Sequence, residues 1–182
     1  SILVYDGDTL VGFLKPLTRL YKVLRPQYIE LICQWRQEKE IGFTNRFYGT
    51  TKKTENWIDN VLMPRKDRIL FMVHNIENYP IGHLGFSSFD FDEKSCEIDN
   101  VVRGVKGINH GLMSLSMQTL IEWGRRKLKL KEIYLRVVKD NTHAVEFYKR
   151  LNFQVIEEIP LYKTKTEGLL IEWIEIKESE NM

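Results

Sequence analysis

Two short stretches of the chain carry residue types and spacings that could do chemistry. The first is KGINHG, Lys106 to Gly111, which lies between a run that reads as a strand (SCEIDNVV) and one that reads as a helix (LMSLSMQTLIEW). A helix N-terminus leaves backbone N–H groups unpaired and carries a partial positive charge. A loop whose backbone can approach a ligand closely therefore holds a phosphate there. Gly107 and Gly111 allow that approach, with Ile108 and His110 between and beside them. Asn109 is the non-glycine residue that best tolerates a left-handed backbone, and Lys106 adds a full charge. The alternative is a plain strand-to-helix turn, in which Gly and Asn serve geometry alone. The second stretch is DNTHAVEFYKRLNF, residues 140–153. Asn141 or Thr142 can cap a helix there, and Ala144, Tyr148 and Leu151 share one face at i, i+4, i+7. An extended ligand could pass over Ala144 while Tyr148 offers its hydroxyl to the reactive end. The alternative is that Tyr148 is a half-buried packing aromatic.

These stretches need elements to hold them. LVGFLKPLT reads as a strand with Pro16 at its end or on a sheet edge. In RPQYIELICQWRQEKE, Tyr28, Leu31, Ile32 and Trp35 recur at helical spacing, with Pro26 near the first turn. TKKTENWIDNVLM predicts a second helix with Trp57, Val61 and Leu62 inward, stopped by Pro64. RILFMVHNI, IGHLGFSSFDF and SCEIDNVV are three strand-like runs separated by turn chemistry, as in an antiparallel meander. A long helix follows from Leu112 to about Lys127, with basic residues closing its last turn. EIYLRVV predicts a buried strand and NTHAVEFYKRL a short helix. FQVIEEIPLY and LLIEWIEI predict two last strands around the turn KTKTEG. The order β, α, α, β, β, β, α, β, α, β, β describes an α/β domain with a mixed, mostly antiparallel sheet flanked by helices. Residues 1–182 are expected to form a single domain, with 1–9 and 177–182 peripheral or frayed.

Composition narrows the function classes. The net charge of +2 balances 27 basic against 25 acidic side chains, so no global field points to nucleic acid. Cys33 and Cys96 lie far apart and have neither metal-ligand nor disulfide-framework spacing, so no metal is expected and a reducing cytoplasm fits best. No apolar run is long enough to span a bilayer, and Asp6 and Asp8 stand where a signal peptide would carry lysines. His74 and His83 read as structural, and His143 lies on the outer side of a helix start. No Ser-His-Asp order or HExxH motif supports a hydrolase.

The order of elements, the KGINHG loop opening a helix, and the later N-x-x-A-x-x-x-Y with FYKRLNF resemble the GCN5-related N-acetyltransferases (GNAT) from roughly Leu10 to Ile176. The family's loop pattern Q/R-x-x-G-x-G/A is filled by Lys106, Asn109 and Gly111, with Lys for Gln/Arg and Asn for the first Gly. Asn152 stands where the family often has glycine, at a helix end that suits a left-handed backbone. The resemblance implies the GNAT fold and acetyl-CoA as donor, with the pyrophosphate on backbone N–H groups of Lys106 to Gly111. It also implies a pantetheine arm between two splayed central strands, here EIDNVV and YLRVV. Tyr148 is then the candidate general acid toward the departing sulfur, and a backbone N–H near Val101 or Val102 the donor that polarises the carbonyl. Glu97 and Asp99 alternate onto one strand face as candidate bases, either of which could act through a water or be a solvated carboxylate. Asn141 would bond the pantetheine or cap its helix, and His110 could assist a phosphate.

For the acceptor, CQWRQEKEIGFTNRF followed by TENWI resembles the segment of family members that acetylate nucleotide-linked aminodeoxysugars. Trp35 would stack there and Arg36 and Arg46 would face a diphosphate, unless Trp35 and Trp57 are core anchors. Two other readings stand beside a nucleotide-linked aminosugar as acceptor. One is an acetyltransferase of protein N-termini, and the other a non-catalytic acyl-CoA-binding domain. A homodimer could form through the last strands.

Overall fold

The computed structural model describes residues 1–38, 45–46, 49–164 and 171–175. They fall into two compact units, Ser1–Arg36 with Thr50–Arg136, and Gln37–Gly49 with Val137–Met182.

The first unit is built on a six-stranded sheet in the order β1 (Ile2–Asp6), β2 (Thr9–Pro16), β4 (Ile69–Asn75), β5 (Pro80–Asp90), β6 (Ser95–Arg103), β7 (Glu132–Leu135). All neighbours are antiparallel except β6 and β7, which run parallel. The mixed, mostly antiparallel sheet expected from the sequence is therefore present. Of the two expectations for the first residues, peripheral or frayed, the structure has the peripheral one, an ordered edge strand. Asp6 pairs with Thr9 across the two-residue turn Gly7-Asp8, with Gly7 at φ +57°, and Val4 is fully buried on the resulting edge strand. Glycine followed by aspartate between apolar runs is a two-residue hairpin signal, with the glycine at the loop position that needs positive φ. Pro16 ends β2, where its missing N–H does no harm.

Helices cover both faces of this sheet. On one side lies α4 (Leu112–Lys127), whose Leu112, Met113, Ser116, Met117, Leu120 and Gly124 form one buried stripe at helical spacing. Phe71 of β4 meets Trp123 of α4 edge-on, 5.7 Å between ring centroids. On the other side lies α2 (Gln27–Glu38), preceded by the single turn α1 (Tyr21–Leu24). Tyr28 and Trp35 of α2 pack on His74 of β4 and His83 of β5.

The helix predicted from Thr51 divides into α3 (Thr51–Trp57), capped by the Thr50 side chain, and a wider turn over Ile58–Leu62, in which Met63 N–H reaches back to the Ile58 carbonyl. The extra residue in that turn moves the inward stripe to Thr54, Ile58 and Leu62 and leaves Val61 42% exposed, whereas the sequence reading places Val61 inward. β7, which the sequence predicts to be buried, is instead the sheet's edge strand and alternates between exposed and half-buried residues.

The second unit contains α5 (Thr142–Arg150) and a three-stranded sheet in the order β3 (Asn45–Arg46), β9 (Ile171–Glu175), β8 (Leu161–Thr164). The predicted strand FQVIEEIPLY is realised only from Leu161. Residues 153–160 find no ladder partner among the described residues, and Val155 and Ile156 are 69% and 89% exposed. A β-prone run without a partner does not hold as a strand. Residues 177–182 and most of the predicted KTKTEG turn lie outside the described residues.

The two buried histidines are both neutral donors. His74 gives its Nδ1–H to the Asn78 carbonyl (2.9 Å), so its Nε2 accepts from the Tyr28 hydroxyl (2.7 Å). Burial holds its pKa below the ordinary histidine value and pushes that of His83, beside the Arg36 charge, down to about 4. The unfolded chain thus takes up a proton near pH 6.5 that folded His83 refuses until about pH 4. Folding stability is fully present above that window and is lost as pH falls through it. For His83 the loss should approach roughly 3 kcal/mol at the lower end. Urea unfolding across this range should show the fall, and His83→Asn should flatten much of it.

Candidate active site

The site begins with an irregularity in β6. His83 pairs with Val102 and Gly85 with Asp99, so Asn100 and Val101 together oppose Leu84 alone. This is a β-bulge, and Asn100 takes φ +55° to form it. His83, fully buried, donates its Nδ1–H to the Asn100 carbonyl at 2.6 Å. All described peptides are trans, so the N–H of Val101 points away from the carbonyl that His83 holds. The parallel ladder between β6 and β7 ends at Ile98 opposite Leu135, and β6 continues through Asp99–Arg103 without a β7 partner. Val101 and Val102 lie on that open stretch, Val101 half-buried and Val102 buried.

Beyond the open edge the chain turns toward α4. A Cβ on Gly104 would meet the Trp35 ring at 2.0–2.3 Å, so only glycine lets the chain pass under the indole. The N–H groups of Gly104 and Val105 both donate to the Ile81 carbonyl (2.9 and 3.0 Å), which ties the start of the loop to the sheet. Gly107, Asn109 and Gly111 then take φ of +77°, +51° and +84°, alternating with residues of ordinary backbone. Such alternation turns successive N–H groups to one side and makes an anion-binding concavity. No side chain caps α4, and Lys106, Gly107, Ile108, His110 and Gly111 are exposed. Asn109 Nδ2 is buried and has no hydrogen-bond partner among the described residues. An uncapped helix start, alternating left-handed residues, an orphaned amide and an exposed lysine suit the pyrophosphate of a nucleotide cofactor.

A residue that the sequence does not single out, Arg103, braces the loop. Its Nε donates to the Val105 carbonyl and its Nη2 to the Ile108 carbonyl, both at 3.1 Å, bracing the loop from the end of β6. The only signal for it in the sequence is an arginine three residues before the loop lysine.

The two carboxylates proposed as bases have different surroundings. Glu97 is 7% exposed, and both its oxygens accept from Arg136, at 3.0 Å from Nε and 2.8 Å from Nη2. Both oxygens are engaged in a two-pronged pair that links β6 to the end of β7, so it suits an anchor better than a base. Asp99 is more open, its side chain 34% exposed. It accepts from the N–H and Nδ2 of Asn100 (2.7 and 2.8 Å) and lies 3.5 Å from Arg68.

The residues expected to hold an acceptor are placed differently from that expectation. Trp35 is 2% exposed and packed on Gly104 and His83, so it has no free face for stacking. The Arg36 guanidinium lies 4.8 Å over the Trp57 ring. Both contacts follow from the inward face of α2, which competes with any outward role. Arg46 is in β3, and its side chain lies outside the described residues.

In the second unit, Asn141 caps α5 by accepting from Ala144 N–H (3.2 Å), the local role foreseen as its alternative. Asn152 has the left-handed backbone expected at the helix end, φ +66°. Tyr148 is half-buried and meets Phe147 and Phe153 edge-on, 5.4 and 6.1 Å between centroids, and Ala144 lies one turn before it.

A model of the acetyltransferase (GNAT) family matches residues 17–153, most of the chain and parts of both units. The chain belongs to the acetyltransferase (GNAT) family. It is accordingly an N-acetyltransferase that uses acetyl-CoA. No curated protein matches by sequence. Among solved structures, the spermidine N-acetyltransferase of Vibrio cholerae in complex with CoA and spermine superposes with a TM-score of 0.67 at 16% identity, covering 90% of this chain and 92% of that one. Mutant forms of the spermidine/spermine N-acetyltransferase SpeG from the same organism match with a TM-score of 0.62 at 17% identity, covering 91% and 92%. A dodecameric form matches with 0.61 at 17% identity and the same coverage.

The contact of Gly104 with Trp35 gives a direct check. In Gly104→Ala the added methyl forces the indole or the loop to move, at a cost of about 1–3 kcal/mol. Thermal unfolding should shift down, tryptophan emission should change, and CoA should bind more weakly because the loop begins from this glycine.

Proposed function

We propose that this acetyltransferase acts on a primary amine of a small polyamine-type molecule. Acetyl-CoA supplies an acetyl group activated as a thioester, and the acceptor amine must arrive at it uncharged. The Lys106 to Gly111 loop would bind the pyrophosphate, with Lys106 and the backbone N–H groups carrying the charge. The open stretch of β6 would pair with the pantetheine, Ala144 would leave room for the arm, and the N–H of Val101 would polarise the carbonyl. Asp99, the more solvent-accessible of the two carboxylates, would take the amine's proton directly or through a water, with Glu97 holding the strands. Tyr148, assigned on the family's motif, would protonate the departing thiolate.

The acceptor class is carried by the correspondence over nine-tenths of the chain with enzymes named for spermidine and spermine. The nucleotide-linked aminosugar is the second reading. It rests on the tryptophan–arginine segment of α2, but the burial of Trp35 and the stacking of Arg36 on Trp57 leave it less to recognise a nucleotide with. Self-association belongs to the proposal, since one of the polyamine enzymes is dodecameric and Val155 and Ile156 offer exposed apolar surface.

Release of free thiol from acetyl-CoA should rise with spermidine or spermine, and not with nucleotide-linked 3- or 4-aminosugars or N-terminal peptides. Turnover with an aminosugar alone would transfer the acceptor assignment to that class. Tyr148→Phe should lower kcat by about a hundredfold, with CoA affinity unchanged. Asp99→Asn should depress kcat more than Glu97→Gln does, while Glu97→Gln should mainly lower the melting temperature. Full turnover in Tyr148→Phe would remove tyrosine from the role of acid.

A further inference from the structure

Arg103 is the last residue of β6 and is half-buried, and among the described residues no carboxylate pairs with it. Two of its donors go instead to backbone carbonyls on either side of Lys106 and Gly107, those of Val105 and Ile108, each at 3.1 Å. In a trans peptide the carbonyl and the next residue's N–H point in opposite directions. With the carbonyls of Val105 and Ile108 turned toward the guanidinium, the N–H groups of Lys106 and Asn109 are turned away from it. The left-handed residues Gly107, Asn109 and Gly111 bring neighbouring N–H groups to a common side. One planar fork therefore sets two peptide planes of the loop at once. A lysine, with a single compact charge on a flexible stem, cannot set both in the same way.

We infer that Arg103 is a positioning residue for cofactor binding. It holds the Lys106 and Asn109 amides in their anion-binding orientation before any ligand arrives, so the loop need not reorganise to receive a pyrophosphate. The inference rests on the loop being the pyrophosphate site. It adds a residue outside the Lys106 to Gly111 motif, acting through the backbone.

Two donors separate this role from general support of the fold. Acetyl-CoA carries the phosphates, whereas S-acetylpantetheine carries the thioester and the arm without them. Arg103→Met should weaken CoA binding, read by calorimetry, and raise the KM for acetyl-CoA by about tenfold, the expected scale for two lost hydrogen bonds. The kcat with saturating acetyl-CoA and the kcat/KM with S-acetylpantetheine should stay near those of the parent. In ligand-free protein the NMR order parameters of the Lys106 and Asn109 amides should fall. Arg103→Lys, which keeps the charge and loses the fork, should fall between the two, and serves as the test should Arg103→Met not fold. Unchanged CoA affinity in a folded Arg103 variant overturns the inference, and so do equal losses with both donors. If the parent itself binds CoA no better than pantetheine, the pyrophosphate reading of the loop falls, and the inference with it.

Discussion

The hydrogen bond from His83 to the Asn100 carbonyl is the constraint on which the site's geometry depends. It sits at the one place where β6 carries two residues against one on β5, and an extra residue in a strand bends it and increases its twist. Beyond the bulge, β6 has no β7 partner and leads into the turn under Trp35. A charged imidazole buried there would face the Arg36 charge without solvent. The ring is neutral, and with its proton on Nδ1 its Nε2 is left a buried lone pair without a partner among the described residues. A polar group is thus kept in an apolar core because it fixes a carbonyl, and through the planar peptide it fixes the N–H behind that carbonyl.

The same peptide geometry operates again at the loop. His83 orients one peptide from inside the sheet, and Arg103 orients two from the end of the strand. In both cases the side chain binds oxygen and the useful group is the amide on the far side. This suits a cofactor recognised mainly along its backbone-like arm and its phosphates, because amides are fixed dipoles that need no proton and no rotamer change. The uncapped start of α4 adds its dipole in the same sense. Glu97 and Arg136 hold the paired end of β6 and β7, which keeps the opening confined to the stretch after Ile98.

Several residues that look reactive in sequence are occupied by packing. Trp35 covers Gly104, Arg36 lies over Trp57, and Glu97 is engaged through both oxygens. These contacts shift the weight of acceptor recognition away from the inward face of α2. They also show why a tryptophan–arginine pair on an amphipathic helix is poor evidence for a ligand. The apolar face must be buried first, and the arginine follows the aromatic next to it.

The sequence by itself determined the order of elements from Ile69 onward, the helix stripes of α2 and α4, and the left-handed turns of the Lys106 to Gly111 loop. These are local properties. Helical period is written in side chains three and four apart, and left-handed backbone is written in Gly107, Asn109, Gly111 and Asn152. The hairpin at Gly7 is equally legible in its Gly7-Asp8 pair. Only the tertiary structure decided which residues would be consumed by their neighbours. The β6 bulge needs the register with β5, the exposure of β7 needs its place at the sheet edge, and the fate of residues 153–160 needs a partner strand. The pairing of Glu97 with Arg136 and the bracing of the loop by Arg103 depend on side-chain geometry that spacing along a chain does not encode. Cross-strand partners are chosen by the fold as a whole, so the sequence could name the apparatus but not say which side chains within it remain available to act.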